Sequence, residues 1–302
     1  MIPFKSLESV NLENKTVLIT GANSGLGFEE AKFFAGRGAH VIMASRNLKK
    51  GNEALEEIKV IYPKSSLRMV KLDLSDSASI LDFSKEIHAS TAGIDFLINN
   101  AGIMAVPFEL TKDGYESQIG VNYLGHFRLT AYLFDLLNQD ARIVNLSSVA
   151  HKSGKLDFDN FMYEKGGYSP FASYSRSKLA DLMFTFALMD HMPKSTKNIM
   201  VVSAHPGVAS TSLFTGRNQS ALFKIFAGTF ARFSLPASDG AKPVIMACLD
   251  PEAISGNFYG PQRTKKGVQV KLDRPIPLAL NKQAQESLWK YSVVKTAVIF
   301  PS

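Results

Sequence analysis

The chain contains a single cysteine, Cys248, so no internal disulfide can form, which fits a reducing compartment. No apolar run reaches the length that a bilayer span requires, so no transmembrane span is expected. The opening stretch, Met1 to Asn14, alternates apolar and polar residues and lacks the basic-then-apolar pattern of a signal peptide, which makes a cytoplasmic location the expectation. The six histidines are scattered, and none is spaced with another His, Cys or acid as a ligand pair, so no metal is expected. Lysine and arginine exceed the acids by 34 to 27, yet no basic block interleaved with aromatics is found, and no nucleic-acid partner is expected. An anionic small ligand accounts for this modest basicity equally well. No Gly/Ser-rich or Pro-rich linker and no internal repeat divides the 302 residues, so one domain, 1–302, is expected.

What the sequence does have is alternation. Thr16 to Thr20 (TVLIT), His40 to Ala44, Leu67 to Leu72, Asp95 to Ile98, Arg142 to Leu146 and Ile199 to Ser203 read as short apolar strands. Gly25 to Gly38, Lys49 to Tyr62, Asp113 to Leu137 and Pro170 to Met192 read as helices. Continuous apolar strands separated by helices indicate an α/β architecture, a parallel sheet covered on both faces and doubly wound through right-handed crossovers.

The first strand runs directly into Thr20-Gly21-Ala22-Asn23-Ser24-Gly25-Leu26-Gly27, and a helix follows. Glycines there permit a tight turn and close approach of backbone to a pyrophosphate, and the helix start offers free N–H groups to an anion. Such a turn can also use glycine for packing alone, and the spacing Gly-x-x-x-Gly-x-Gly is not the common dinucleotide form. The second strand ends at Ala44-Ser45-Arg46-Asn47 without the carboxylate that would take a ribose 2′-hydroxyl. Arg46, with Lys49 and Lys50 behind it, offers instead a guanidinium for a 2′-phosphate, which favours NADP(H). A solvated turn is the plainer alternative. Tyr174 and Lys178 stand four apart on one helix face, where an ammonium can favour the phenolate. That spacing is common by chance, and its weight comes from the residues around it.

Thr20 to Gly27, Asp73-Leu74, Asn99 to Gly102, Asn122, Ser147-Ser148, Tyr174 with Lys178 and Pro206-Gly207 occur in order along nearly the whole chain. Together they resemble the short-chain dehydrogenase/reductase family. Asn122 to Phe127, Ala44 to Arg46 and His205 to Gly207 are most similar to its retinol-dehydrogenase-like, NADP(H)-dependent branch. The resemblance implies a Rossmann fold with a helical substrate lid, at about 212–237, and interconversion of a hydrophobic aldehyde or ketone with its alcohol. It implies Tyr174 as acid/base, Lys178 on the nicotinamide ribose, Ser148 on the substrate oxygen, and Asn122 holding a water that links Lys178 to solvent. For the cofactor it implies Gly21, Asn23, Ser24, Gly25, Leu26 and Gly27 at the phosphates and Arg46 at the ribose. It also implies Asp73 at the adenine amino group, Leu74, Asn100, Ala101, Gly102, Pro206, Gly207 and Val208 along the cofactor, and Thr211 near the nicotinamide amide. Ser148 lies 26 residues before Tyr174, with His151 to Tyr168 resembling an insertion, and Ser147 is the alternative serine.

Leu213 to Leu235, rich in phenylalanine, reads as the lid, with a packed helix pair or peripheral membrane contact as alternatives. A homo-oligomer stays open. Two other readings of the whole chain are a catalytically silent dinucleotide-binding sensor and a reductase of C=C bonds.

Overall fold

The computed structural model describes residues 3–193, 197–207, 235–265 and 267–300. Val208, Thr211 and all but the last residues of the expected lid lie outside them. The apolar runs pair into one sheet of eight strands. These are β1 (Thr16–Thr20), β2 (His40–Ser45), β3 (Ser66–Lys71), β4 (Ile94–Asn99), β5 (Leu137–Leu146), β6 (Met200–Ala204), β7 (Phe258–Thr264) and β8 (Gly267–Leu272). Their order is β3-β2-β1-β4-β5-β6-β7-β8. The chain thus builds outward from β1 on one side, then returns to place β4 against β1, and the crevice at the strands' carboxyl ends opens at this reversal. β1 to β7 are parallel, as the crossovers require. β8 departs from the expected all-parallel sheet. The short connection from Thr264 to Gly267 cannot carry a crossover, so β7 and β8 form an antiparallel hairpin at the edge.

Seven α-helices among the described residues cover both faces: α1 (Gly25–Ala35), α2 (Leu48–Ile61), α3 (Ser77–Ser90), α4 (Gly125–Tyr132), α5 (Pro170–His191), α6 (Ala237–Leu249) and α7 (Lys282–Thr296). Strand alternation feeds two cores. Leu18 and Ile42 join the core under α3, α4, α5 and α7, while Val17, Ile19, Val41 and Met43 join the one under α1, α2 and α6. The C-terminal part closes the first core, where Trp289 of α7 and Phe300 pack 5.1 and 5.2 Å from the Phe127 ring. As a result α5 is buried from Ser173 to Leu188. No helix among the described residues is long and apolar enough to cross a membrane.

The single helix expected from Asp113 to Leu137 is broken into pieces. Buried Glu116 caps the start, its carboxylate accepting from the N–H groups of Gln118 and Ile119 at 3.0 and 2.9 Å. A π-helical turn, Ile119–Leu124, precedes α4, and the chain leaves the helix at Leu133 to enter β5 at Leu137. The π turn carries Asn122.

Candidate active site

The glycine turn is a packing device as well as a cradle. Gly21 has φ 69°, and a Cβ on it would stand 3.0 Å from Ala101 Cα. A Cβ on Gly27 would stand 2.6 Å from Asn100 Nδ2 and 2.7 Å from Gly21 O. The absent side chains therefore let the turn, the first turn of α1 and the segment after β4 touch. Thr20 bonds them together: Asn100 and Ala101 N–H both donate to its Oγ1 at 2.9 Å, and Asn100 Nδ2 donates to its carbonyl at 2.7 Å. Ser45, at the end of β2, braces the turn by donating to Asn23 Oδ1 at 3.0 Å.

A cavity of about 770 Å³ opens over this cradle and runs along the carboxyl ends of the strands. Gly21, Asn23, Ser24, Gly25 and Leu26 line one end, and Ser148, Tyr174 and Lys178 line it elsewhere. Of the other residues expected from sequence, Arg46, Asp73, Leu74, Asn100, Ala101, Gly102, Pro206 and Gly207 also line it, and Gly27 does not. The glycine-bearing turn opening onto the start of α1 fits a pyrophosphate, and the cavity reaches from there to the tyrosine, as a dinucleotide requires. Asp73 lines the cavity and also caps its own turn, accepting from Ser75 N–H and Oγ–H at 3.0 and 2.6 Å. Of the two lysines near Arg46, Lys50 borders the cavity, and Lys49 is not among its lining residues. Sequence reading missed a further cation, Lys71, which with Arg46, Asn47 and Leu48 borders a side hollow of about 380 Å³. Its signal is the β2–β3 register, which sets Lys71 opposite Ser45 and is invisible in linear spacing.

Helix α5 carries the expected acid/base pair. Tyr174 and Lys178 share the cavity, each less than a tenth exposed. The Lys178 ammonium donates to Leu146 O at the end of β5 and to Asp181 Oδ2, both at 2.9 Å. Ser147 and Ser148 divide as strand alternation demands. Ser147 Oγ donates to Lys178 O at 2.7 Å, turned into the packing, and Ser148 caps a short 3-10 helix, Val149–Ser153, by accepting from Ala150 N–H at 3.2 Å. Both border the cavity, but the Ser147 hydrogen is committed to the α5 backbone. Arg176 lies between the two catalytic candidates in sequence and faces away. It donates to Lys155 O at 3.0 Å and to Asn160 O and Phe161 O at 2.7 Å, clamping the expected 151–168 insertion onto α5.

Asn122 sits beside the cavity, fully buried. It does not line the cavity. Its Oδ1 accepts from Ile103 N–H at 2.8 Å, and its Nδ2 donates to Ile103 O and Ser177 Oγ at 2.9 Å, so the side chain ties the segment after β4 to α5. Its carbonyl, in the π turn, is reached by His126 Nδ1 at 2.7 Å. Because a carbonyl only accepts, Nδ1 carries the proton, and Nε2 accepts from Thr20 Oγ1 at 2.9 Å. His126 thereby links Asn122 to the residue that organises the glycine turn, a role the sequence reading did not assign.

Burial pushes His126 down to about 4, with the charge of Lys178 adding to the effect. The folded state therefore binds this proton less readily than the unfolded chain, whose value is 6.5. The linked stability is full above 6.5 and is lost as pH falls towards 4, amounting to about 3 kcal/mol. The His126→Gln variant is expected to flatten this acid limb in denaturant titrations between those pH values. An equally steep limb in the variant would remove His126 from the account.

The comparisons with known proteins agree with this geometry. The family described as short chain dehydrogenase matches residues 15–221. Human "Retinol dehydrogenase 12" is 38% identical over 288 residues, covering 94% of this chain and 87% of that protein. "Short-chain dehydrogenase TIC 32 A, chloroplastic" of Brassica napus is 33% identical over 296 residues, covering 94% and 89%. Among solved structures, an uncharacterised protein from Mycobacterium paratuberculosis superposes with a TM-score of 0.79 at 35% identity, with 98% of each chain covered. The fold, the ordered motifs and these relatives place the chain in the short-chain dehydrogenase/reductase family, oxidoreductases that work with a nicotinamide dinucleotide.

Proposed function

We propose that this protein interconverts a hydrophobic aldehyde or ketone and its alcohol with NADP(H), using Tyr174 as the acid/base. The observation that carries the reading is the sharing of one cavity by the glycine cradle, Tyr174, Lys178 and Ser148. A bound nicotinamide supplies the hydride in reduction and accepts it in oxidation. In reduction Tyr174 gives its phenolic proton to the carbonyl oxygen, and in oxidation it takes the proton of the alcohol. Ser148 donates a hydrogen bond to the same oxygen as charge develops there. The Lys178 ammonium, with two hydrogens held by Leu146 O and Asp181, has a third for the cavity side.

Apolar substrate is supported by Ile103, Met104, Leu110, Val121 and Phe171 in the cavity wall, and by relatives named as retinol dehydrogenases. NADP(H) is supported by Arg46, Lys50 and Lys71 around the end of β2, where Ser45, Arg46 and Asn47 bring no carboxylate. Turnover of an apolar aldehyde panel with NADPH and with NADH tests both claims. NADPH is expected to be preferred, and Arg46→Asp is expected to weaken it about tenfold or more by removing a charge-assisted contact, with NADH within about threefold. No turnover of any aldehyde sinks the activity. Unchanged NADPH affinity in Arg46→Asp sinks the cofactor assignment.

A further inference from the structure

Tyr174, Lys178 and Asp181 follow one another at i, i+4 and i+7, one stripe along two turns of α5. The Lys178 ammonium thus lies on the turn between a phenol and a carboxylate. Asp181 is itself buried, and its Oδ2 is 2.9 Å from Nζ. The Leu146 carbonyl takes a second hydrogen at the same distance. The remaining side of the ammonium faces Gly102, where a Cβ would stand 3.6 Å from Nζ and 3.3 Å from Asn122 Oδ1. A carboxylate so close offsets the cost of burying the ammonium and also takes up part of its field.

Resting on the reading of Tyr174 as acid/base, we propose that Asp181 is a positioning residue of the active site. Its carboxylate holds the Lys178 ammonium against the end of β5 with one hydrogen left for the cavity, and it sets how strongly that charge acts on Tyr174. The charged and titratable neighbours agree with this. Burial alone pulls Lys178 down, but Asp181 and then Tyr174 outweigh it and hold the ammonium above its ordinary value. Burial pushes the Asp181 carboxyl up to about 6, with Lys178 opposing, so it is chiefly ionised at neutral pH. From the π turn, Tyr123 faces Asp181 with its hydroxyl bonded to Ser292 at 2.6 Å. From α4, His126 faces Lys178 and is neutral. On α5 itself, Tyr174 faces Lys178. Asp181 is thus the acidic group bonded to the lysine.

Asp181→Asn keeps the shape and an oxygen for Lys178 while removing the charge. With the ammonium no longer compensated, the pH profile of alcohol oxidation is expected to move about one unit towards acid. The tyrosinate absorbance of the cofactor-free protein, taken as the difference from Tyr174→Phe, is expected to move in the same direction. Asp181→Glu, which keeps the charge, is expected to leave both midpoints at their wild-type positions and lower kcat about tenfold through displacement of the ammonium. Asp181→Ser, a second charge-free variant, must move the midpoints as Asn does and covers the case in which Asn does not fold. Midpoints unmoved in the folded charge-free variants, or moved equally by Glu, overturn the proposal. If Tyr174→Phe retains full activity, the underlying reading fails instead, and the two failures are told apart.

Discussion

Tyr174→Phe is expected to lower kcat by about 10³-fold while leaving the fold and dinucleotide affinity close to wild type. The size follows from removing one positioned proton donor, an effect that falls between about 10² and 10⁴ in general acid–base catalysis. The structural neutrality follows from the surroundings. Tyr174 is buried at 6% exposure, its ring packs 6.4 Å from that of Phe171, and its hydroxyl has no hydrogen bond among the described residues. Deleting that oxygen strands no partner there, so the cost of an unpaired buried group does not arise. The kinetic signature is a fall in kcat and kcat/KM together with the dinucleotide KM within a few-fold, because the lost interaction acts in the transition state. Thermal denaturation should give a midpoint within a few degrees of wild type. Equal turnover by the two proteins would remove Tyr174 from the chemistry.

Glu30→Leu is expected to stabilise the protein by about 3 kcal/mol at pH 7. Glu30 lies on the buried side of α1 with no exposed surface, and neither carboxylate oxygen has a hydrogen-bond partner among the described residues. Burial alone pushes its carboxyl from 4.5 up to about 8. The unfolded chain therefore releases this proton far more readily than the folded one. The stability linked to the neutral form is complete below 4.5 and is lost as pH rises to about 8, at about 1.4 kcal/mol per unit. Leucine has a similar size and no charge to desolvate, so the variant should lack this decline. The check is urea unfolding of both proteins at pH 5, 7 and 8, where the gap should widen as pH rises. A constant gap would point to packing rather than ionisation. Burial also raises the Cys248 thiol on the facing α6, and Glu30 adds to that shift, which places the two groups in one apolar layer.

Much of the fold could be read because its strands are uninterrupted apolar runs. β4 is buried at every position, and β1, β2, β3, β4 and β6 lie within a residue of the expected bounds. β5 instead begins at Leu137, five residues before the expected Arg142, where its register against β4 slips. What was not legible has local causes. Helix α3 was passed over because Ser77–Ser90 is largely polar, yet Asp76 caps it and Ile80, Phe83, Ser84 and Ile87 make its buried face. Helix α6 carries Pro243 in its interior, and β7 reads FYGPQRT, which has the composition of a turn and suits only a sheet margin. At the site, Tyr174, Lys178, Ser148 and the glycine turn were found because each belongs to a motif of fixed order. The bonds of Asn122 were not, since they reach Ile103 and Ser177, residues far from it in sequence. Asp181, His126 and Lys71 escaped for a related reason. Their significance lies in what the fold places beside them, a lysine, a threonine and an arginine whose proximity is set by helix phase and strand register.

The central claim is that hydride moves between a dinucleotide in this cavity and a carbonyl carbon, with Tyr174 handling the proton. It is tested most directly by isotope transfer. The full chain would be incubated with an apolar aldehyde and NADPH carrying deuterium at the transferable position. Deuterium on the carbinol carbon, in a one-to-one ratio with dinucleotide oxidised and lost in Tyr174→Phe, is the expected result. Tight binding of NADPH with the label retained on the dinucleotide, across aldehydes and ketones alike, would contradict it.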